Sequence, residues 1–534
     1  MASAAATADG DAPVTPDATS GLPPWPQLIG FLLMAFGMFM AILDIQIVSA
    51  SLTQIQAGLA ASADEISWVQ TSYLVSEVVM IPLSGFLARA LSTKWLFVLS
   101  SAGFTIASIL CSTATSINEM IVYRSLQGFV GGAMIPTMYS AMFLMFGRGR
   151  QSGVSVAVSL IVTMAPTIGP ALGGWISEIA TWHWLFLVNI IPGIIITFGV
   201  WALVDVDRPN LPLLRRIDLI GLVAMACFLG GLDYVLEEGA RRDWFADSTV
   251  FTVFVVATVA AVIFFWRSLT VVEPVVNLKV FANSNFLFGG LLGAVVGIGL
   301  YGLVYLYPVF LARIALLSSG QIGATLWVTG LSMLFAAPFM GMLARRSDPR
   351  RVLLFGFLML ALSTWLTRGI TDEWRFAQLF LPQVVRGVGL IACLTSISVT
   401  SFATLPMEYI KDAGGLFTLM RNIGGAIGLA MINTIILWRT NLHWGRLSES
   451  INPGRPEVQA QVEALTALAT EKGLADPEAA AMREIGHQVM EQAMVMAYAD
   501  CFTVLSWLFV AFAIVPMFLK RPPTLASVAA AESH

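Results

Sequence analysis

The sequence has few charged residues for its length. Asp, Glu, Lys and Arg make up 12% of its 534 residues, whereas roughly 25% is usual in soluble domains. Hydrophobic residues make up 57%, and the mean hydropathy is +0.80. So few charges cannot cover a soluble enzyme of this size, and so apolar a chain is not disordered. The net charge of −4 also excludes a nucleic-acid binder, because binding to phosphates requires a surplus of basic side chains.

The side chains that hold metals or catalyse covalent reactions are also scarce. The cysteines are isolated in apolar stretches without Cys-x-x-Cys spacing: Cys111, Cys227, Cys393 and Cys501. They predict neither a zinc site nor a disulfide. The four histidines are scattered, and the absence of any Gly-Lys dipeptide excludes a P-loop ATPase within this chain. We expect no metal, no cofactor and no enzymatic activity.

Long apolar runs dominate what is present. From Gln27 onward they follow one another at about 20 residues each, the length with which a helix crosses a ~30 Å hydrocarbon core. Runs this long and continuously apolar indicate helices, because the strands of a membrane barrel would be short and alternating. The sequence therefore predicts an all-α polytopic membrane protein with 14 transmembrane helices in the lipid bilayer. The expected spans are residues 27–49, 66–88, 94–115, 119–145, 152–176, 183–204, 217–236, 248–268, 285–311, 320–343, 351–370, 375–402, 412–438 and 495–519.

An internal repeat relates the two halves of the chain. Residues 85–89 (GFLAR) end the second span, and residues 341–345 (GMLAR) end the tenth, 256 residues later. The stretch around Arg124 in the fourth span is echoed around Arg386 in the twelfth, 262 residues later. Two matches at nearly the same offset predict two six-helix pseudo-repeats joined by two linking helices. Such repeats around a central cavity are typical of transporters.

The repeat predicts where the domains begin and end. The expected segments are a disordered tail (1–26), a six-helix bundle (27–204), two linking helices with their linkers (205–284), a second six-helix bundle (285–519) and a cytoplasmic tail (520–534). The second bundle contains one large hydrophilic insertion, residues 439–494, in which stretches 457–470 and 477–490 predict helices. We interpret the insertion as a solvated helical hairpin or as a docking surface for an extracytoplasmic partner.

The positive charges predict the orientation. On one side of the membrane the loops and ends hold 16 Lys and Arg residues, against 5 in the short loops of the other side. Because cytoplasmic loops are enriched in these residues, both termini are expected in the cytoplasm and the insertion outside.

Ionisable residues within spans cost roughly 2.5–3.5 kcal/mol each, so each requires a reason. Asp44 and Arg124 lie at similar depths and are expected to pair if their helices are neighbours, while Glu77 lies near the middle of the second span. The proton affinity of a carboxyl group changes with access to water and with a nearby Arg. The three residues are therefore candidates for proton coupling. The alternative is a static ion pair that orders the helices.

Two other groups of residues are candidates for the transport pathway. In the fifth span Pro170 bends the helix, and Gly169, Gly173 and Gly174 form a groove that another helix can approach closely. Tyr301 and Tyr305 share one face of the ninth span. The candidate cavity residues are these two tyrosines together with Arg386 and Arg421.

Several motifs resemble those of one family. Residues 169–174 (GPALGG) resemble the antiporter signature of the major facilitator superfamily, specifically its fourteen-span drug:proton antiporters of the EmrB type. Arg124 with Gln127 and Gly128 resembles the fourth-span motif of that family, and Leu43 with Asp44 resembles its first-span motif. The likeness extends to residues 68–74, 182–189 and 421–428, and so covers nearly the whole chain.

The resemblance implies a function and partners. We expect proton-driven export of hydrophobic or amphipathic small-molecule drugs across a bacterial inner membrane, by rocking of the two bundles about a central cavity. The family further implies a role for Arg124 in proton transfer, a periplasmic adaptor protein and an outer-membrane channel. A proton-coupled transporter of one specific solute would have the same fold and stays an alternative. A respiratory proton-conducting subunit is disfavoured, because no Lys lies in the interior of an expected span, Lys94 standing at the first position of one.

Two positions of one loop depart from the resembled family. Arg89 stands in the loop after the second span where that family carries an Asp, and Ser92 stands in place of a Gly. The charge relay attributed to the acid therefore cannot operate here in the same form.

Overall fold

The structure, a computed structural model, describes residues 23–62, 65–146, 148–451, 455–473 and 475–520. Most of the expected tail at 1–26, and all of 521–534, lie outside the described residues. All the long regular elements of the described part are helices, and thirteen helical stretches are long and apolar enough to cross a membrane. The chain is therefore an all-α polytopic membrane protein, as predicted.

Nineteen α-helices are described, several of which pair up within one span. In chain order they are α1 (Trp25–Ala50), α2 (Leu52–Leu59), α3 (Trp68–Leu91), α4 (Thr93–Ser112), α5 (Ile117–Gly131), α6 (Met134–Met145), α7 (Arg148–Ile179), α8 (Trp184–Leu187), α9 (Ile190–Leu203), α10 (Leu219–Glu238), α11 (Ser248–Thr270), α12 (Ser284–Gly297), α13 (Leu303–Arg313), α14 (Ser319–Arg346), α15 (Pro349–Thr367), α16 (Phe376–Phe402), α17 (Ile410–Ser450), α18 (Pro456–Glu471) and α19 (Pro477–Ala513).

The expected fifth span coincides with α7. This helix is 32 residues long, and its stretch Gly153–Pro166 is apolar. The expected fourth span is formed by α5 and α6, and the sixth by α8 and α9. The ninth consists of α12, a π-helical turn at Ile298–Gly302, and α13.

The membrane helices end at two opposite sides of the protein, and the two sides differ in charge. We call the end that carries Arg89, Lys94, Arg267 and Lys411 the basic end. The opposite end carries residues 439–494 and is called the insertion end. The first bundle denotes α1–α9, the second bundle α12–α19, and α10 and α11 are the linking helices.

The linking helices lie beside the two bundles. α10 packs against α3 of the first bundle and α17 of the second, and the rings of Trp68 and Tyr234 stack 5.6 Å apart at the contact with α3. At the basic end, Arg267 of α11 donates to Asp218 at 2.7 Å. This guanidinium holds the pKa of the Asp218 carboxyl below its usual value. α10 is therefore an inner helix, and α11 lies outside it with apolar side chains exposed toward lipid.

The insertion continues two membrane helices. α17 runs to Ser450 and α19 begins at Pro477, so both extend well beyond the spans expected at 412–438 and 495–519. Between them α18 packs on α19 and leaves most of its side chains exposed. Asp500 of α19 accepts hydrogen bonds from Arg439 at 2.5 Å and from His443 at 2.7 Å. These contacts fasten the extension of α17 to α19.

Close backbone contact holds the second bundle together. A Cβ added at Gly424 of α17 would lie 2.0 Å from the carbonyl oxygen of Ala294 on α12. This contact therefore requires glycine, which has no Cβ, at position 424. Small residues serve this purpose in membranes, because helices there associate through packing and not through exclusion of water.

We expect Gly424→Ala to lower the free energy of unfolding by about 1–3 kcal/mol, because the obstructing atoms belong to backbone and cannot rotate away. The measurement is the midpoint of thermal unfolding in detergent. Gly445→Ala on the same helix is the matched control, since nothing lies within 4 Å of the added Cβ. The control is expected to leave stability unchanged or raise it by up to about 1 kcal/mol. Equal midpoints for the two variants would contradict the packing explanation.

Candidate functional site

A buried ion pair joins α1 to α5. Arg124 Nη1 lies 2.6 Å from Asp44 Oδ2, and both side chains are completely buried. The Arg124 Nε donates to the carbonyl of Val69 on α3 at 3.1 Å. The structure thus brings together the two residues that the sequence placed at similar depth.

Amide side chains complete this network. Asn189, at the start of α9, donates to Asp44 Oδ1 at 2.7 Å, and Gln127 donates to the same oxygen at 3.2 Å. The Arg124 guanidinium carbon also lies 4.3 Å from the centre of the Tyr73 ring. A buried charge pair is tolerated when further hydrogen bonds satisfy its atoms, and here both Asp44 oxygens and two of the three guanidinium nitrogens of Arg124 are bonded. Sequence reasoning did not single out Asn189, although it ends the motif at 182–189.

A separate cavity of about 460 Å³ lies between the two bundles, on the side of the insertion end. Its lining is partly polar, with residues from α1, α3, α6, α10, the π-helical turn at Ile298–Gly302, α13 and α17. The polar members are Gln46, Ser49, Gln70, Glu77, Asp233, Glu237, Tyr301, Tyr305 and Asn422. A larger groove of about 650 Å³ between α10 and α11 is lined only by apolar residues and Cys227, so it offers no charged group.

The three candidates for proton coupling occupy two different places. Glu77 lines the cavity, whereas Asp44 and Arg124 do not belong to its lining. Gln46, two residues after Asp44 on α1, does line it. The ion-pair network of the first bundle therefore lies next to the cavity between the bundles, and α1 and α3 contribute to both.

The candidate cavity residues also separate. Tyr301 and Tyr305 line the cavity, and the hydroxyl of Tyr305 donates to Asn433 at 2.8 Å. Arg421 lies outside the lining and donates to the hydroxyl of Tyr139 at 3.2 Å. Arg386 is buried within the second bundle, where it donates to Gln383 at 3.3 Å. Arg386 is therefore held away from the cavity wall in this conformation, whereas Arg421 lies behind the wall and interacts with its residue Tyr301.

Two acidic residues of the cavity escaped sequence reasoning. Asp233 lies inside the span expected at 217–236 and Glu237 one residue beyond it, both on linking helix α10. The available signal was their spacing, since two acids four residues apart on an apolar helix share one face.

The glycine motif lies where α7 crosses α1. A Cβ at Gly173 would lie 2.6 Å from the carbonyl oxygen of Ile47, and one at Gly169 would lie 2.3 Å from the Cβ of Gln46. Gly174 faces open space. Pro170 belongs to α7, but its side chain lies outside what the structure describes. The motif therefore brings α7 against the stretch of α1 that follows Asp44.

Contacts between the bundles close the space from the cavity to the basic end. Ser155 of α7 and Ser398 of α16 share a hydrogen bond of 2.6 Å. The rings of Phe143 and Phe402 stack 4.2 Å apart. These contacts join helices of the first bundle to helices of the second, so this conformation is closed toward the basic end.

Ion pairs strengthen the closure at its outermost layer. Arg89 of α3 pairs with Asp412 of α17, and Lys411 pairs with Asp207. Arg89 is the residue that stands where the resembled family carries an acid. In this pair the acid, Asp412, lies on the second bundle and the base, Arg89, lies on the first. The two bundles are therefore attracted to each other at this position, with Arg89 supplying the positive charge.

Comparisons with known proteins show which family the sequence matches. The sequence profile described as "Major Facilitator Superfamily" matches residues 34–429. The chain is 40% identical to the "Colistin resistance protein EmrB" of Acinetobacter baumannii, covering 92% of this chain and 96% of that one. It is 28% identical to the "Multidrug export protein EmrB" of Escherichia coli K12, covering 92% and 94%.

A solved structure shares the fold. The human organic anion transporter MFSD10 (TETRAN) superposes with a TM-score of 0.56 at 12% identity, covering 92% of this chain and 99% of that one. At this identity the likeness concerns the fold alone.

We expect Arg89→Asp to weaken closure at the basic end, because it places two carboxyl groups face to face. The reporter is the rate at which N-ethylmaleimide labels the thiol introduced by Ser398→Cys, whose native serine is buried, with the exposed Cys227 replaced by Ser. Arg89→Asp is expected to raise this rate about tenfold, which corresponds to ~1.4 kcal/mol of closure free energy. The exchange Arg89→Asp/Asp412→Arg is the control and should restore slow labelling. Unchanged labelling in the single variant, or no recovery in the exchanged pair, would refute the closing role of the ion pair.

Proposed function

Because the chain belongs to the Major Facilitator Superfamily and is an EmrB-type multidrug efflux transporter, we propose that proton influx drives its export of hydrophobic or amphipathic drugs. The chain is an integral membrane protein and not an enzyme. The observation that carries the proposal is the cavity between the bundles, with the carboxyl group of Glu77 in its wall. A titratable group in the substrate space lets proton and substrate compete.

The conformation supports an alternating-access cycle. The bundles touch between the cavity and the basic end, through Arg89, Lys411 and the serine pair of α7 and α16. If the basic end faces the cytoplasm of a bacterial inner-membrane protein, as the distribution of Lys and Arg favours, this is an outward-facing state with both termini inside. Rocking of the bundles would break the contacts at the basic end and open the cavity to the cytoplasm.

We assign the proton-coupling residues different parts in this cycle. Glu77 exchanges a proton with water in the cavity, because its side chain is in the wall. Asp44 and Arg124 respond through α1, which carries Asp44 and part of the cavity wall, and through α3, whose Val69 carbonyl accepts from Arg124. Substrate and proton need only disfavour each other's bound state, and the coupling is then reciprocal. The membrane potential supplies about 2.3 kcal/mol per charge per 100 mV.

The extended helices at the insertion end support a place in a tripartite assembly. α17 and α19 project past the membrane spans, and α18 packs on α19 with an exposed surface. In the proposed orientation this surface lies in the periplasm. It is where we propose that a periplasmic adaptor protein docks, with an outer-membrane channel beyond it.

Uptake into inverted membrane vesicles tests the proposal, with and without a proton gradient and across a panel of unrelated hydrophobic compounds. Several compounds are expected to accumulate only with the gradient. Accumulation of a single solute would favour the alternative, a proton-coupled transporter of one substrate. No gradient-dependent accumulation of any compound would contradict both.

Glu77→Gln is expected to lower gradient-driven uptake about tenfold or more while the protein stays folded, because the amide keeps the shape but cannot carry the proton. Glu373→Gln, in the exposed loop before α16, is the matched control and should transport normally. Asp44→Asn is also expected to abolish gradient-driven uptake. It should lower thermal stability as well, since the buried Arg124 loses its counter-ion. Normal gradient-driven uptake in both Glu77→Gln and Asp44→Asn would disprove the assignment.

A further inference from the structure

Linking helix α10 forms one wall of the central cavity. Its Asp233 and Glu237 line the space together with Glu77 of α3. The helix reaches this position by tight packing, since a Cβ added at Gly230 would lie 3.1 Å from the Cγ1 of Val75 on α3. The linking helices therefore do more than join the bundles, because one of them completes the cavity.

The two carboxyl groups of α10 belong to the cavity lining, and each has one buried oxygen atom without a hydrogen-bond partner among the described residues. Asp233 is only 8% exposed, and its Oδ2 has no hydrogen-bond partner among the described residues. The Oε2 of Glu237 is buried and equally without a partner there. A buried polar atom without a partner costs about 1–3 kcal/mol, so such atoms call for a ligand.

The neighbouring acid on the same helix shows the contrast. Glu238 lies on the other side of α10 and pairs with Arg242 at 3.2 Å and with Arg241 at 3.6 Å. Among the described residues, no Lys, Arg or His side chain belongs to the cavity lining. Asp233 and Glu237 thus have no basic side chain beside them in the wall, whereas Glu238 outside it is paired with arginines.

The remaining wall of the cavity suits a hydrophobic cation. Tyr301 and Tyr305 contribute aromatic rings, which attract cations placed over their faces. The rest of the lining is largely aliphatic, with Ile42, Ile45, Leu74, Val304 and Leu429 among its members. A group of carboxyl groups on one wall of an otherwise largely apolar space matches a molecule that carries a positive charge on a hydrophobic body.

We propose that Asp233 and Glu237 of linking helix α10, together with Glu77, form the subsite that binds the positive charge of cationic amphipathic substrates. This inference rests on the proposed function in one respect, that the cavity is the substrate site. The carboxyl groups on α10 lie one helical turn apart, with roughly 5–6 Å between Cβ atoms, so one cationic group can contact both. The linking helix is then a determinant of specificity for charge.

Equilibrium binding to the purified full-length protein tests the subsite. Tetraphenylphosphonium is the cationic probe and Nile red the neutral one, each titrated in detergent without a proton gradient. In Asp233→Asn/Glu237→Gln the Kd for tetraphenylphosphonium is expected to rise about 30-fold, and that for Nile red to stay within about twofold. The matched control is Asp243→Asn/Glu373→Gln, which removes the same two acid types from exposed positions in loops at the same end. It should bind both probes as the unaltered protein does.

Several results would overturn the subsite. The first is failure of the unaltered protein to bind tetraphenylphosphonium, and the second is an unchanged Kd for this probe in the α10 double variant. The third is an equal rise in Kd for both probes, which would indicate that the two acids have a structural role alone. Binding needs no gradient, so the outcome is independent of proton coupling. Charge-selective loss of binding without gradient-driven transport would support the subsite and refute the proposed function. Gradient-driven transport together with equal binding changes for the cationic and the neutral probe would support the proposed function and refute the subsite.

Discussion

The cost of placing charge inside a membrane shapes this structure more than any other constraint. Every buried ionisable group must be paired, neutral or in contact with water, and the protein uses these options in different places. Asp44 and Arg124 satisfy each other within a sealed network. Arg421 is held by Tyr139 between the bundles. Glu77 and Asp233 instead line a cavity. The carboxyl groups of the cavity wall are thus found where water, protons and substrate can reach them.

Glycine and the linking helices give that electrostatic arrangement its form. Gly173 lets α7 lie against α1, and Gly424 lets α17 lie against α12, so the helices that carry the polar groups approach at backbone distance. α10 then packs across α3 and α17 and brings two further carboxyl groups to the cavity. The closure at the basic end uses side chains, such as Arg89 with Asp412, that can separate without disturbing the cores of the bundles.

The sequence predicted the features that depend on local composition. Span positions followed from hydrophobic length, and the similar depth of Asp44 and Arg124 followed from helical rise alone. Features that depend on which helices touch were out of reach. Asp233 was passed over because nothing local shows that α10 faces a cavity, and the hydrogen bond from Arg421 to Tyr139 could not be foreseen because it joins the two bundles. The continuation of α17 to Ser450 was also missed, because a polar helix beyond the membrane has no hydrophobic signal.

The central claim is that substrate binding and proton binding oppose each other within this one cavity. Proton release on binding tests it most directly. When tetraphenylphosphonium is added to the purified protein in weakly buffered detergent solution, the account predicts acidification that saturates with the bound ligand and is smaller for Glu77→Gln. Saturable binding with no release of protons at any pH at which the protein is folded would contradict it.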